Sequence, residues 1–552
     1  ADRADVVIMG GGLAGLTLAL QLRRRFASLE VVVLERVRHP VPEAAHKVGE
    51  SSVEIGAYYF ASVLGLREHL ETEQLAKFGF RFFHSDGRED IDQVREIGIT
   101  RYLPFRTYQI DRGRFENFLA REAVKAGAHF VDGAVVRGLT VAEAPDAGDA
   151  GDAGDAGDAD EPCHEVLFER DGAERRIRAR WLVDASGRAG LLKRKLDLAE
   201  PSEHDTNGVW FRIGARIDID AWSSDADWLA RCVPRERWRS TSHLVGDGYW
   251  VWLIALASGV HSVGIVTDAR RHPLREMNSF PRALEWLRAH QPRLAGAIEP
   301  HRDALQDFAC LRRLAYGCKR VFSGARWALT GEAGVFLDPF YSPGSDFIAI
   351  ANTYITELIA RDQAGEPVTP YARVYQQYFF SFYRSTLALY LDQYAIFGDP
   401  EVLPLKVYWD ESYYWGVLCH LFIHGRIADT GMLKRMRGEL AATFELNRVM
   451  QQLFHDWSRA SARLNGATLV DQSACGWFTE LNRRLLDPAD DAGCESRLKE
   501  NCAVLRGFAA WLAARAAAEH PELDSSALRA LLESESARRG PPPQVSLEAP
   551  AM

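Results

Sequence analysis

The N-terminal third of the chain alternates between short apolar runs and amphipathic segments. Residues 5–9 and 29–34 are apolar runs that predict buried parallel strands, and residues 13–24 between them have helical spacing. This order predicts a β–α–β unit at the start of the sequence. Later patterns predict strands at residues 78–83, 129–141, 165–170 and 174–183, and helices at residues 54–70 and 112–126.

The pattern changes in the rest of the chain. Residues 208–268 are mostly β-like and rich in aromatic side chains, residues 327–330 form another apolar run, and the chain is mainly helical from Phe347. We therefore predict a mixed α/β fold: a Rossmann-like three-layer domain, an inserted mixed β-sheet layer and a helical C-terminal region. The predicted units are residues 1–200 with 320–365, residues 201–319, residues 366–535, a disordered tail at 536–552, and a flexible Asp-Ala-Gly loop at 143–161.

Composition excludes several classes of protein. Hydrophobic residues make up 47% of the chain, which is typical of a globular protein, and the net charge of −10 argues against a nucleic-acid binder. The eight cysteines form no CxxC pair, and no metal-ligand spacing occurs. With no evident signal peptide and no apolar window of about 18 residues, the sequence predicts a cytoplasmic protein without a membrane span. It leaves monomer and homodimer open.

A glycine-rich turn follows the first predicted strand. Residues 10–15 read GGGLAG, in which Gly10 permits a tight turn, Gly12 lets the backbone approach a pyrophosphate, and Gly15 lets helix and strand pack closely. Glu35 closes the second strand, where a carboxylate accepts hydrogen bonds from a ribose. The alternative is a glycine-rich turn without a ligand. The predicted dinucleotide contacts are Gly10, Gly12, Leu13, Ala14, Gly15, Glu35 and Arg36.

Three later segments indicate which dinucleotide cofactor is bound. Asp184 ends a predicted strand, Gly331 and Glu332 end another, and residues 336–344 precede a predicted helix. In this order, the segments resemble the FAD-binding fold of the glutathione-reductase-2 type found in aromatic hydroxylases, and residues 109–115 resemble the helix start that contacts the flavin there. The resemblance implies FAD as the cofactor. The further contacts it implies are Ser51, Arg112, Asp184, Gly331, Glu332, Pro339, Gly344 and Ser345.

The sequence contains no recognisable motif for the reductant that would supply electrons to the flavin. No second GxGxxG occurs in the sequence, so a dedicated NADPH domain is not expected. Reduced FAD would come from a separate flavin reductase or from transient NAD(P)H binding.

Four motifs together resemble the flavin-dependent halogenases, the family of tryptophan and of phenol or pyrrole halogenases. They are residues 47–51 (KVGES), Lys77 within AKFGFRFF, residues 250–254 (WVWLI) and residues 336–344, and the resemblance runs to about residue 360. It implies that reduced FAD and O2 form a C4a-hydroperoxide and that chloride or bromide is oxidised to hypohalous acid. The substrate would be an electron-rich, phenol- or pyrrole-like precursor of a natural product, either free or tethered to a carrier protein.

Lys77 matches the lysine that directs halogenation in that family. An ammonium can polarise hypohalous acid, and a desolvated neutral amine could form a haloamine. The alternative is an ordinary surface lysine. Trp250 and Trp252 match the family's WxWxIP signature, and with Phe336 and Tyr341 they are candidates for lining a substrate pocket or tunnel. Alternating tryptophans are equally typical of a packed sheet face.

The sequence departs from the family at three positions. Ala255 replaces the proline of the WxWxIP signature, and Tyr341 stands where tryptophan halogenases carry a catalytic glutamate. In the family, the backbone N–H groups of two residues bind chloride. Here they are Pro343 and Gly344, and proline has no N–H.

These departures keep several functions open. Pro343 and Ala255 favour a second hypothesis, a non-halogenating hydroxylase, oxidase or desaturase on the same fold. A third is a geranylgeranyl-reductase-like flavin reductase that saturates isoprenoid double bonds, and a fourth is a flavin-binding or assembly protein without activity. The aromatic runs at residues 375–383 and 408–415 form either core or a pocket lid. Asp410, Glu411, His420 and His424 either orient or deprotonate a phenol or are structural.

Overall fold

The computed structural model describes residues 3–43, 47–142 and 164–547. The predicted Asp-Ala-Gly loop lies outside the described residues. The strands are β1 (Arg3–Met9), β2 (Val31–Glu35), β3 (Leu75–Ala76), β4 (Phe80–Phe83), β5 (Glu96–Gly98), β6 (Tyr108–Gln109), β7 (His129–Asp132), β8 (Val135–Thr140), β9 (His164–Arg170), β10 (Ala173–Asp184), β11 (Ala199–Pro201), β12 (Thr206–Ile213), β13 (Thr241–Gly246), β14 (Tyr249–Ala255), β15 (His261–Asp268), β16 (Leu305–Leu311), β17 (Tyr316–Cys318), β18 (Trp327–Leu329) and β19 (Leu469–Asp471).

Helices follow the strands and dominate the last third of the chain. They are α1 (Leu13–Arg25), α2 (Glu54–Tyr58), α3 (Arg67–Glu73), α4 (Arg112–Lys125), α5 (Leu191–Lys195), α6 (Ala226–Ala230), α7 (Phe280–His290), α8 (Pro292–Ile298), α9 (Gly344–Gln363), α10 (Val368–Leu387), α11 (Tyr394–Phe397), α12 (Val402–Tyr413), α13 (His420–Ile423), α14 (Thr430–Arg435), α15 (Arg437–Ala460), α16 (Gly476–Arg483), α17 (Asp491–Glu519) and α18 (Ser526–Arg539).

The first sheet is built on the predicted β–α–β unit. Its strand order is β7–β2–β1–β10–β9–β8, and β18 pairs with β10. Strands β7, β2, β1, β10 and β18 run parallel to one another, whereas β9 is antiparallel to both of its neighbours, β8 and β10. Strands β1 and β2 are buried on both faces, which explains why they read as continuous apolar runs rather than alternating ones.

The second sheet has eight strands in the order β16–β12–β15–β14–β13–β4–β5–β19. Successive side chains on β14 point to opposite faces. Trp250 and Trp252 join the main hydrophobic core, whereas Val251 and Leu253 join a second core that includes residues of α7 and α8. Both faces of this sheet are therefore covered, one of them by the core that surrounds the site.

The helical region closes the molecule over the second sheet. A π-helical stretch at Tyr414–Cys419 continues α12, and another at Tyr59–Val63 continues α2. The predicted tail differs from the structure, because α18 extends to Arg539 and the Trp477 indole donates to the carbonyl of Ser546 at 2.9 Å. Among the described helices, none is both long and apolar enough to cross a membrane. The two sheets and the helical region confirm the predicted mixed α/β fold.

Candidate active site

Four sequence motifs lie at one edge of the first sheet. Met9 pairs with both Leu34 and Asp184, and Asp184 pairs in turn with Leu329. The ends of β2, β1, β10 and β18 therefore lie side by side. Ligands of open parallel sheets bind outside this carboxyl edge. The residues that the strands bring there are Gly10, Glu35, Asp184 and Gly331.

The glycines of the first turn have different surroundings. Gly10 has a φ of +115°, and a Cβ there would lie 2.3 Å from the carbonyl oxygen of Ala185. A Cβ on Gly15 would lie 1.9 Å from the carbonyl oxygen of Gly10, so α1 and β1 pack in direct contact. A Cβ on Gly12 would meet only the tip of Lys47, at 3.9 Å. The backbone at Gly12 is therefore open, as the approach of a pyrophosphate requires.

Glu35 is held beside the glycine turn by two backbone groups. The N–H of Gly11 donates to Oε2 at 2.6 Å and the N–H of Val37 donates to Oε1 at 2.7 Å. These bonds aim the carboxylate past the end of β2, where a ribose would lie. Leu13 and Ala14 are buried in the first turn of α1, and Arg36 is exposed.

Asp184 shapes the turn after β10. It is fully buried, and its carboxylate accepts the N–H of Ser186 at 3.0 Å, the Ser186 hydroxyl at 2.6 Å and the N–H of Leu192 at 2.7 Å. Burial raises the pKa of this carboxyl, and the hydrogen bonds oppose that shift. Three donors from the chain make Asp184 a support for the cofactor edge, with little accepting capacity left for a ligand.

Glu332 lies on the neighbouring turn. Its carboxylate pairs with the Arg188 side chain at 3.0 Å, and both side chains remain partly exposed. Gly331, just before it, has a φ of +60°, and a Cβ there would lie 2.9 Å from the Cβ of Ala14. This turn therefore packs directly on the start of α1, next to the open backbone of Gly12.

Buried polar atoms support a bound polar group at this edge. Among the described residues, the Arg112 Nε, the Gln109 Oε1 and the Ser345 hydroxyl are buried without a hydrogen-bond partner. The other guanidinium nitrogens of Arg112 contact the carbonyl of Val48 and, at 2.6 Å, Glu116. Unpaired buried polar groups are costly, and a dinucleotide would supply partners. Together with the glycine turn and Glu35, these residues fit FAD.

A buried network fixes the segment that enters α9. Asp338 is fully buried and accepts the Tyr394 hydroxyl at 2.5 Å, the His204 Nε2 at 2.8 Å and the N–H of Phe340 at 3.0 Å. The Trp250 indole donates to the Tyr394 hydroxyl at 3.0 Å. Pro339 lies inside this clamped segment, which holds the entry to α9 against the second sheet.

The N-terminus of α9 offers free backbone donors. Pro343 precedes the helix and contributes no N–H, while its carbonyl accepts from Phe347 at 3.1 Å. Within the described ranges, no acceptor contacts the N–H groups of Gly344 and Ser345. A Cβ on Gly344 would meet no atom within 4 Å. The helix start therefore has open space and two unpaired N–H groups, which suit an anion.

Lys77 lies inside the protein. It is only 4% exposed, and its ammonium contacts the Ser51 hydroxyl at 3.0 Å and the Ser52 carbonyl at 3.2 Å. Its Nζ is 3.5 Å from the centre of the Phe80 ring. Gly79, with a φ of +62°, turns the chain between them. Ser51, predicted as a cofactor contact, thus holds Lys77 in this structure.

Four carboxylates share a cavity with Lys77. This Lys77 cavity is lined by Glu54 of α2, Asp346 of α9, and Asp410 and Glu411 of α12, with aromatic and aliphatic walls. Burial lowers the pKa of Lys77 to about 7, and the charges of Glu54, Glu411 and Asp346 oppose that shift. Burial also raises the pKa values of Asp346 and Glu411 to about 8. Close to neutral pH, Lys77 can therefore hold or release its proton.

The cavity contains one of the four predicted substrate or tunnel residues. Tyr341 lines it and donates to Asp410 at 2.8 Å. Trp250 and Trp252 are buried behind the Phe340 segment, with ring centres of Trp250 and Phe340 5.2 Å apart. Phe336 stacks with Tyr316, 6.2 Å between ring centres. These three are not among the residues that line the Lys77 cavity.

Sequence reasoning missed Glu54 and Asp346. Each is a carboxylate in an apolar helical segment, a pattern that signals a buried acid. It named Asp410 and Glu411 without assigning a role. His420 and His424 instead donate to backbone carbonyls of Cys494 and Asp487, at 2.9 and 3.1 Å, and do not line the cavity.

Comparison with known proteins agrees with this geometry. Residues 3–257 match the family described as FAD binding domain. The flavin-dependent halogenase chlA of Dictyostelium discoideum is 24% identical over 508 residues, which cover 83% of this chain and 81% of that protein. The 1H-pyrrole-2-carbonyl-peptidyl-carrier-protein chlorinase of Pseudomonas fluorescens is 25% identical over 62% of this chain and 72% of that protein. The alignments of this chain with six other curated halogenases cover 61–64% of the length of those proteins.

A solved structure shares the fold over most of the chain. The halogenase PltM, in complex with phloroglucinol and FAD, aligns with a TM-score of 0.61 at 15% identity, over 92% of this chain and 95% of that chain. The protein therefore carries a FAD-binding domain and is a distant homologue of the flavin-dependent halogenases. It is an FAD-dependent oxidoreductase of the halogenase-like type.

Proposed function

Starting from a halogenase-like FAD-dependent oxidoreductase, we propose that the chain halogenates an electron-rich aromatic ring in the Lys77 cavity. The observation that carries the proposal is the position of Lys77, buried beside Phe80 in an aromatic-walled cavity that Pro343 at the start of α9 also lines. An ordinary surface lysine would be exposed. The substrate class is phenolic or pyrrolic, because electrophilic halogenation requires an activated ring.

The cofactor edge would hold FAD by the residues described above. Gly12 would approach the pyrophosphate, Glu35 would bind the adenosine ribose, and Arg112 would reach the cofactor through its unpaired Nε. When bound and reduced, FAD supplies with O2 the two-electron oxidation of chloride or bromide to hypohalous acid. The N–H groups of Gly344 and Ser345 would bind the halide.

Lys77 would present the halogen to the ring. Its amine, held by Ser51 and Ser52, can hydrogen-bond to hypohalous acid and orient it along the cavity. A ring carbon then attacks the halogen, forming the carbon–halogen bond as the oxygen–halogen bond breaks. The departing hydroxide leaves as water, with the proton that the ring carbon loses. The apolar walls enclose the cavity, which keeps hypohalous acid beside Lys77 and limits its escape into solvent.

Substrate presentation and the electron source belong to the same proposal. The relative that chlorinates a carrier-bound pyrrole and the structure with phloroglucinol show both modes of presentation among similar proteins. For this chain we propose an aromatic precursor of a natural product, with reduced FAD delivered by a separate flavin reductase.

The test is product mass with halide present. The protein is given FAD, a flavin reductase with NADH, chloride or bromide, and simple phenols and pyrroles including phloroglucinol. We expect products with the isotope patterns of chlorine and bromine. Lys77→Ala should lower product by about 100-fold or more, while consumption of reduced flavin continues.

Lys193→Ala is the matched control. Lys193 is also a buried lysine over an aromatic ring, with its Nζ 4.4 Å from the centre of Tyr316, but it does not line the Lys77 cavity. It should retain halogenation. A gain of one oxygen with either halide, or unchanged product from Lys77→Ala, would contradict the proposal.

A second function is supported by one observation. Pro343 removes one N–H donor from the start of α9. If halide binding is too weak, the oxidising equivalents go to the substrate as one oxygen atom or to peroxide. The chain would then be an FAD monooxygenase or oxidase on the same fold, and the one-oxygen product in the test above identifies it.

A further inference from the structure

Two adjacent carboxylates on α12 have different environments. Asp410 is fully buried and accepts from Tyr341, from Lys406 and from the Gln451 amide, each at 2.8 Å. Glu411 is half-buried, and its side chain lines the Lys77 cavity. The Gln472 amide donates to its Oε2. No donor among the described residues forms a hydrogen bond with Oε1 of Glu411.

The other two acids of the cavity are more fully occupied. Asp346 accepts the N–H of Gly56 at 2.9 Å on one oxygen and the Tyr414 hydroxyl at 2.5 Å on the other. Glu54 is only 5% exposed and accepts the Asn482 amide at 3.0 Å, and its own backbone N–H and the Trp415 indole are further hydrogen-bond donors to it. Glu411 therefore combines an open surface with an oxygen that lacks a donor.

An enclosed carboxylate oxygen without a donor destabilises the folded protein unless a ligand donates a hydrogen bond to it. Carboxylates held away from bulk water are destabilised when their hydrogen-bonding capacity is not filled. The walls around Glu411 are apolar and aromatic, including Leu103, Phe105, Leu389 and Trp415. These walls suit a flat ring, and the open oxygen suits an O–H or N–H donor on that ring.

We propose that Glu411 binds the acidic O–H or N–H of the aromatic substrate and accepts its proton as the ring attacks the halogen held at Lys77. The reaction half of this inference rests on the proposed function, while the binding half does not. Lys77 and Glu411 line the same cavity, and no ion pair joins these two described side chains, so neither group neutralises the other by direct contact.

The proton transfer increases the nucleophilicity of the ring. The O–H bond of the substrate breaks as its proton moves to Oε1 of Glu411, and the oxygen's electron pair delocalises into the ring. The ring carbon attacks the halogen of hypohalous acid, and hydroxide departs. The carbon then loses its own proton, which forms water with the hydroxide, and Glu411 returns the first proton to the product oxygen. No further oxidant is needed.

A different role would give a different result. Glu411 also faces Lys77 electrostatically, since its charge opposes the downward shift of the Lys77 pKa. If that were its whole role, substitution would change the reaction rate without changing which rings bind. The discriminating measurement is therefore ligand choice in the absence of reaction.

The probes are para-fluorophenol and para-fluoroanisole, which differ by one methyl group on oxygen. Fluorine NMR titration of the FAD-loaded protein gives both affinities without halide or reduced flavin. At about pH 9, Glu411 is ionised and the phenol is still neutral. We expect the wild type to prefer the phenol by about tenfold or more, as for a hydrogen bond to a charged acceptor.

Glu411→Gln should reduce that preference to about threefold or less, because the neutral amide is a weaker acceptor. Glu411→Leu should abolish it. Glu54→Gln is the matched control, since it removes another acid of the same cavity whose oxygen is already bonded to Asn482, and it should keep the preference. Flavin content and melting temperature verify that each variant is folded.

An unchanged preference in Glu411→Gln would overturn the binding role. If the preference is lost, the proton-acceptor role predicts a further change in catalysis: kcat of Glu411→Gln with saturating phenol should fall by about tenfold or more. An unchanged kcat would overturn that role. Because the titration uses no halide, a failure of halogenation and a failure of this inference are seen separately.

Discussion

Gly12 and Gly15 belong to one motif but are constrained by different parts of the molecule. A Cβ on Gly15 would meet the protein itself, 1.9 Å from the Gly10 carbonyl, whereas a Cβ on Gly12 would meet only the tip of Lys47. We predict that Gly15→Ala destabilises the apoprotein by about 1–3 kcal/mol, because α1 must move away from β1. Gly12→Ala should leave apoprotein stability within about 0.5 kcal/mol.

The loss of FAD affinity should not follow the loss of stability: Gly12→Ala, the more stable variant, should still bind FAD weakly. Gly12→Ala should bind FAD at least about tenfold more weakly, because a methyl group occupies the closest approach of the pyrophosphate. Thermal unfolding of the apoprotein and fluorescence titration with FAD measure both quantities. Normal FAD binding by Gly12→Ala would mean that the pyrophosphate lies elsewhere.

Single positions carried much of the sequence prediction. The glycine turn could be predicted because its function depends on backbone geometry that few residues adopt, and Glu35 could be predicted because a carboxylate closes the second strand of the β–α–β unit. Asp184 is predicted from the sequence as a FAD contact, but its three hydrogen-bond donors from the chain itself are visible only in the folded turn. Asp346 carries no local signal that it shares a cavity with Lys77, because 269 residues separate the two in sequence. Glu54 is only 23 residues before Lys77, but a separation of that size predicts no shared cavity without the fold.

At the scale of elements, periodicity predicted most strands and helices, and local packing explains the differences. The run at residues 29–34 reads as strand, but β2 begins at Val31, because Leu29 is buried in the preceding turn. The run at residues 129–141 is divided into β7 and β8 at Gly133, whose φ of +64° turns the chain. Apolar character reports burial rather than extended conformation, so such boundaries are not readable from composition.

The start of α9 is the element whose sequence is most unusual for its proposed function. The helix presents the N–H groups of Gly344 and Ser345, and Pro343 presents none. We predict that Pro343→Ala restores one donor and lowers the apparent KM for halide. A hydrogen bond to a charged partner contributes about 1.5–3 kcal/mol, which corresponds to about one to two orders of magnitude.

Halide dependence of halogenation, measured from low to saturating bromide, tests this prediction. Pro367→Ala is the control, because Pro367 likewise precedes a helix, α10, but lies outside the Lys77 cavity. Its halide KM should stay at the wild-type value. If Pro343→Ala also leaves the halide KM unchanged, the halide does not bind at the start of α9.

At the scale of the whole molecule, the Lys77 cavity is lined by residues from the first domain, the second sheet and the helical region. Its acids and its lysine come from α2, the β3–β4 segment, α9 and α12. The charged and titratable groups that line it are Lys77, Glu54, Asp346, Glu411, Asp410 with its partner Lys406, Arg106, Tyr102, Tyr341, Tyr390, Tyr413 and Tyr414. Folding brings these charges together, so the stability of the fold depends on their protonation.

The pKa shifts give the sign of that dependence. The folded pKa values of Asp346 and Glu411 are raised to about 8, so the folded state holds protons that the unfolded chain has lost above about pH 4–5. The contribution of these acids to stability therefore falls as pH rises toward 8. Lys77 acts in the opposite direction at higher pH. Its folded pKa is about 7, so its contribution rises between pH 7 and about 10.5.

Glu411→Gln isolates one of these contributions. The amide has no charge at any pH, so the variant should lose less stability than the wild type between about pH 5 and pH 8. The free energy of unfolding from urea titrations at several pH values measures the difference between the two proteins. Glu401→Gln, on the same helical region but outside the cavity, should follow the wild type. Parallel curves for Glu411→Gln and wild type would show that Glu411 keeps an ordinary pKa in the fold, and that its open oxygen is in contact with bulk water rather than with an enclosed substrate site.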